Sequence, residues 1–224
     1  MMKRLAQWLI TGWVFAVGLV VAWPLTAHAA EGGEQRLYLP VILNLNSDEI
    51  PTTGGHAESV LTLQAFIAQV SDGQAGVLRG VYVENVLAYR VDQQPADNYT
   101  YITSQPDTVT QFGLARPPVI GLLAHNTLAG ARFFDLKEGA QVWLIEGDGR
   151  SHAYRVSRRY EYQALQPNSP TSDFKDLATG EVLTAAEVFA RHYMGPAHLT
   201  LQTCIARDGL STWGRLFVIA EPEP

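Results

Sequence analysis

The stretch Leu199-Thr200-Leu201-Gln202-Thr203-Cys204 decides how this chain is read. Apolar and polar residues alternate along it, the two-residue period of a strand with one face in a core. The alternation ends on the only cysteine in 224 residues. The pattern predicts that Cys204 closes a strand and that the following loop exposes it. A sole cysteine forms no disulfide within its own chain, so its thiol is buried and inert, reactive, or joined to a second chain. The bland reading is a small buried hydrophobe, and the neighbouring residues argue for more.

Outward from Cys204, Arg215 opens the apolar run Leu216-Phe217-Val218-Ile219-Ala220. Asp208-Gly209 and Trp213-Gly214 predict a loop between the two runs. If the two strands are antiparallel neighbours, Cys204 and Arg215 fall side by side. A cation there stabilises a thiolate, or the negative oxygen of a tetrahedral intermediate. Far upstream, Val119-Ile120-Gly121-Leu122-Leu123-Ala124 leads into His125-Asn126-Thr127, a second apolar strand ending on a reactive side chain. A histidine so placed takes and returns the proton when a thiol attacks a carbonyl. Distance along the sequence is no obstacle, because such sites are assembled by the fold.

The rest of the chain is mainly β. Residues 77–91, 99–102, 119–124, 141–146, 153–162, 199–205 and 216–220 are short apolar runs separated by turn residues, as in a sandwich or closed barrel. Residues 142–156, broken by Gly147-Asp148-Gly149, read as a β-hairpin. Apolar spacings near three and four predict a helix over residues 57–70. Thr184, with Glu187 three residues later, predicts the capped start of a short helix over 184–194. Hydrophobic residues make up 47% of the chain and charged ones 17%, which is ordinary globular composition. The net charge of −6, with no run of Lys or Arg, argues against nucleic acid as partner.

The first residues read as an export signal. Lys3 and Arg4 precede an uncharged apolar run over residues 8–21, which leads to Pro24 and the small-residue stretch Ala27-His28-Ala29-Ala30. Residues 1–30 are therefore expected to be a signal peptide, or an uncleaved N-terminal membrane anchor, since residues 8–25 approach a spanning length. Residues 31–56 read as a linker, and residues 57–224 as one domain.

The run ending at Cys204 resembles the sortase signature Thr-Leu-x-Thr-Cys, here Thr200-Leu201-Gln202-Thr203-Cys204. Arg215-Leu216-Phe217-Val218 is similar to the arginine-led last strand of that family, and Ala124-His125-Asn126-Thr127 to its histidine element. Residues 130–140 and Tyr154-Arg155-Val156 resemble the segments that follow. Ala124 stands where the family usually has glycine, which leaves the subclass open. The resemblance implies a closed β-barrel of about eight strands with a few short helices. It implies an exported cysteine transpeptidase that cleaves a sorting peptide through a thioacyl-enzyme. The acyl group then passes to an amine acceptor, a cell-wall precursor or a protein. Cys204 is then the nucleophile, His125 the acid/base and Arg215 the oxyanion stabiliser, with Thr203 holding substrate backbone or oxyanion. This chemistry needs no metal or cofactor. The alternatives are a catalytically inert sortase-shaped envelope binding module and another exported cysteine hydrolase or transpeptidase. His152 and His192 are expected at the surface and His198 at a strand entry. Tyr193 and Trp213 are read as packing residues or as lining for a peptide groove.

Overall fold

The computed structural model describes residues 61–224. The expected export segment and linker, and the first residues of the expected N-terminal helix, lie outside the described residues. Ten strands follow the first helix: β1 (Leu78–Val83), β2 (Leu87–Gln93), β3 (Thr108–Gln111), β4 (Ile120–Leu123), β5 (Gln141–Glu146), β6 (Ser151–Ala164), β7 (Phe174–Asp176), β8 (Val182–Leu183), β9 (Leu199–Arg207) and β10 (Leu210–Pro222). The helices are α1 (Leu63–Val70), α2 (Ala185–Tyr193) and a 3-10 segment, Ala129–Asp135.

Eight of these strands close on themselves. The hydrogen-bonded order is β10-β9-β4-β3-β2-β1-β5-β6, and β6 pairs back onto β10. The expected closed barrel of about eight strands is therefore present. Neighbours are antiparallel except β2 with β3 and β4 with β9. The strands β7 and β8 extend the sheet from β6 as a short flap.

Alternation along each strand sorts side chains to two faces. Leu122, Ala124, Leu199, Leu201, Leu216, Val218 and residues of β1, β2, β5 and β6 fill the barrel. The opposite face of β4, β9, β10 and β6 carries Leu123, Cys204, Phe217 and Tyr162. These pack under α2 and the flap with Phe174, Val188, Phe189 and Tyr193. Helix α1 seals a third patch against Tyr82 and Ile145. Its first turn is capped by the Thr62 hydroxyl, which accepts from Ala65 N. The capping box anticipated at Thr184 and Glu187 is formed in both directions, and α2 ends at Tyr193.

Three strand expectations are corrected. Residues 99–102 form no strand but part of the β2–β3 loop, tied down by Gln94, whose amide donates to the carbonyls of Tyr99 and Tyr101. The expected loop between Cys204 and Arg215 is instead a tight hairpin. Asp208 and Gly209 take φ of 53° and 78°, the left-handed pair that a two-residue hairpin turn requires. The strand β10 therefore begins at Leu210, not at Arg215, with a register shift between Leu210 and Gly214 absorbing the extra residues.

Candidate active site

Register brings two of the expected site residues, Cys204 and Arg215, to one level of the sheet. Arg215 on β10 pairs directly with Cys204 on β9. On its other side Arg215 pairs with Tyr162 of β6. The strand β4 runs parallel to β9 with Leu123 opposite Gln202, and Ala124 N donates to Gln202 O at 3.1 Å. His125 follows two residues after the end of β4, the strand that lies beside the cysteine strand β9. The cross-strand row therefore reads Tyr162, Arg215, Cys204 on β6, β10 and β9, and the histidine segment leaves the sheet from β4 on the far side of β9.

The loop-exposed strand end expected at Cys204 is not what the structure has. Cys204 lies within β9, three residues from its end, and is fully buried. Arg215 is also fully buried, and His125 is 9% exposed. The cover comes from α2, the flap and the β2–β3 loop, which contributes Ile102.

His125 follows β4, and its carbonyl accepts from the amides of Leu128 and Gly130, each at 3.0 Å. Burial pushes the imidazole pKa below its usual value, and a hydrogen bond to the backbone of Ile102 partly offsets this. The ring is thus neutral at neutral pH, the state that accepts a proton. Its Nδ1 has no hydrogen-bond partner among the described residues.

Arg215 is held by Nη1 alone, which donates to the carbonyls of Thr212 and Gly214, each at 2.9 Å. Nε and Nη2 have no partner among the described residues. None of the ion pairs among those residues includes it. A guanidinium stays charged in proteins. Two charged donors beside a thiol, buried and unpaired, suit an oxygen that becomes negative during reaction.

Thr203, expected to hold substrate backbone or oxyanion, has its buried hydroxyl committed elsewhere. It donates to the Ala124 carbonyl at 2.9 Å, tying the end of β4 to β9. Its contribution in this geometry is to fix the base of the histidine segment. Gly130 shares this junction and was not singled out by its sequence context as a site residue. A Cβ there would run into the Thr203 hydroxyl and come within 2.7 Å and 2.8 Å of the carbonyl oxygens of His125 and Ala124. Gly130→Ala should therefore lower stability by about 2 kcal/mol, the usual cost of overpacking. It should also slow any reaction that uses His125. Denaturant unfolding and turnover measured on the same variant check both effects.

Of His152, His192 and His198, only His192 departs from expectation. His152 is half exposed and pairs with Glu146 at 2.9 Å. His198 sits just before β9, as expected, with ring nitrogens 2.8 Å and 3.0 Å from the carbonyls of Pro196 and His192. His192 is a correction: it lies buried rather than at the surface of α2. Its ring stacks on Phe217 at 4.2 Å between centroids, and its Nε2 is hydrogen-bonded to Tyr162 Oη at 2.9 Å. Tyr193 is a fully buried core residue hydrogen-bonded to Gln202. Trp213 stacks on Arg207, 4.1 Å from ring centroid to Cζ.

No family model matches the chain, and no curated protein sequence matches it. Its fold is similar to that of solved sortases. Sortase A from Corynebacterium diphtheriae is 14% identical, with a TM-score of 0.46, over 67% of this chain and 62% of that one. Sortase C-1 from Actinomyces oris is 15% identical, with a TM-score of 0.45, over 84% and 91%. Sortase C1 from Streptococcus suis is 17% identical, with a TM-score of 0.43, over 66% and 73%. Among the described residues no helix is long and apolar enough to cross a membrane.

Proposed function

We propose that the chain is a cysteine transpeptidase of the sortase type, working at or beyond the cell surface. The observation that carries the reading is the cross-strand pair Arg215 and Cys204, with the histidine element following β4, the strand on the other side of β9. In the reaction Cys204 Sγ gives its proton to His125 and bonds to a peptide carbonyl carbon. Nε and Nη2 of Arg215 donate to the oxygen as it becomes negative. The C–N bond breaks as His125 returns the proton to the leaving amine, which leaves a thioester on Cys204. An incoming amine gives a proton to His125 and attacks the thioester. The C–S bond then breaks and the thiolate recovers its proton. A neutral His125 is the form that starts this cycle.

The substrate class is a peptide or protein bearing a sorting motif, and the acceptor an amine on a cell-wall precursor or a second protein. Nothing in the chemistry calls for a metal. Export rests on the charge, apolar run and small-residue stretch of residues 1–30. The burial of all three side chains favours a second reading, an inert barrel that serves as an envelope binding module.

The test is transfer itself. Sorting-type peptides and an amine such as a short oligoglycine are incubated with the protein and the products separated. The reading predicts a new amide joining the N-terminal peptide fragment to the added amine, and none with Cys204→Ala. Transfer that survives in Cys204→Ala, or no cleavage of any peptide, would favour the inert barrel or another chemistry.

A further inference from the structure

The aim of Arg215 decides whether its two spare donors meet the developing negative oxygen, and the side chain is anchored unevenly. Nη1 is fixed by two carbonyls, while Nε and Nη2 lack partners among the described residues. A planar cation held at one nitrogen pivots about it unless its face is also held. The aromatic group that meets the cation is Phe174, with Arg215 Cζ over its ring face, 5.9 Å from the centroid. The ring is itself fixed. Phe174 is fully buried in the flap, paired with Ala164 on one side and Leu183 on the other. Its edge meets Tyr162 at 6.5 Å and 81°, and Tyr162 is the cross-strand neighbour of Arg215.

A buried arginine ordinarily has a carboxylate partner. A carboxylate here would claim Nε and Nη2 through a bidentate pair. The negative face of an aromatic ring attracts the cation without accepting from those nitrogens. We infer that Phe174 is a positioning residue, whose ring face holds the Arg215 guanidinium so that Nε and Nη2 stay available to the oxygen that becomes negative when Cys204 adds to a peptide carbonyl. This rests on the reading of Cys204 as nucleophile. It makes the β7–β8 flap a working part of the site.

The test uses the full chain with Phe174 replaced by phenylalanines carrying one, two and three ring fluorines. These keep the shape of the ring and withdraw the negative charge from its face. The rate of thioester formation should fall stepwise along the set, by roughly tenfold in all. The peptide Kd, measured in a Cys204→Ala background, and the unfolding midpoint should stay constant. Phe174→Leu should be slower still and Phe174→Tyr close to the parent. The same fluorination in an Arg215→Met background should change nothing. Equal rates along the set, with an active parent, overturn the inference and leave the transpeptidase reading standing. A parent that forms no thioester overturns that reading and the inference with it.

Discussion

Arg215→Met should slow thioester formation by about 10²–10³-fold while leaving the protein as stable as before, or more stable by about 1–3 kcal/mol. The two halves of this expectation have one cause. A fully buried guanidinium loses its hydration at a cost of several kcal/mol. Here that cost is offset by two backbone carbonyls on Nη1 and an aromatic face, with no carboxylate pairing among the described residues. Methionine is flexible and apolar and fills a similar volume, so the fold loses little by the exchange. The chemistry loses the charged donors of the residue paired with Cys204 across β9 and β10. A protein that keeps an unfavourable buried cation is accepting lower stability for function. Denaturant unfolding and acylation rates measured side by side decide the matter. A strongly destabilised variant with unchanged acylation would make Arg215 a structural residue.

His192→Phe should flatten the acid side of the stability profile. Burial pushes the His192 pKa down to about 3, with the charge on Arg191 and the neighbouring His198 acting in the same direction. In the unfolded chain the group titrates near 6.5. As pH falls below about 6.5 the unfolded state takes up a proton that the folded state refuses. Stability contributed by the neutral ring is thus complete above about 6.5 and is lost toward pH 3, at about 1.4 kcal/mol per pH unit. Phenylalanine keeps the stacking on Phe217 and cannot titrate. At pH 7.5 the variant should lose about 1 kcal/mol, because the Tyr162 hydroxyl loses its bond to Nε2. Between pH 6 and pH 4 the parent's advantage should shrink until the order reverses. Parallel profiles for the two proteins would show that His192 accepts its proton in the folded state.

Much of the fold could be read from local rules. The turn at Gly147-Asp148-Gly149, the capping box at Thr184 and the strand beginning at Leu199 each act over a few residues and appear where the sequence placed them, though that strand runs past Cys204 to Arg207. The pairing of Cys204 with Arg215 followed from two apolar runs and an antiparallel assumption, and the register matches it. What failed was burial. Alternation tells which residues share a face but not what lies over that face, so Cys204 was expected in solvent and His192 at the surface. The covering layer is built from distant segments: α2, the flap and Ile102. The strands β7 and β8 are three and two residues long and carry no readable period, which hid Phe174. The roles of Gly130 and Thr203 depend on a junction between β4 and β9, strands joined by more than seventy residues of intervening chain, and no local pattern announces it.

The central claim is that Cys204 is a nucleophile served by His125 and Arg215. The most direct measurement is the intact mass of the protein after incubation with sorting-type peptides and no added amine. The account predicts a mass gain equal to the N-terminal peptide fragment less water, located on Cys204, removed by hydroxylamine and absent in Cys204→Ala. Unchanged mass with every peptide, together with a thiol that no small alkylating agent modifies in the folded protein, would contradict it.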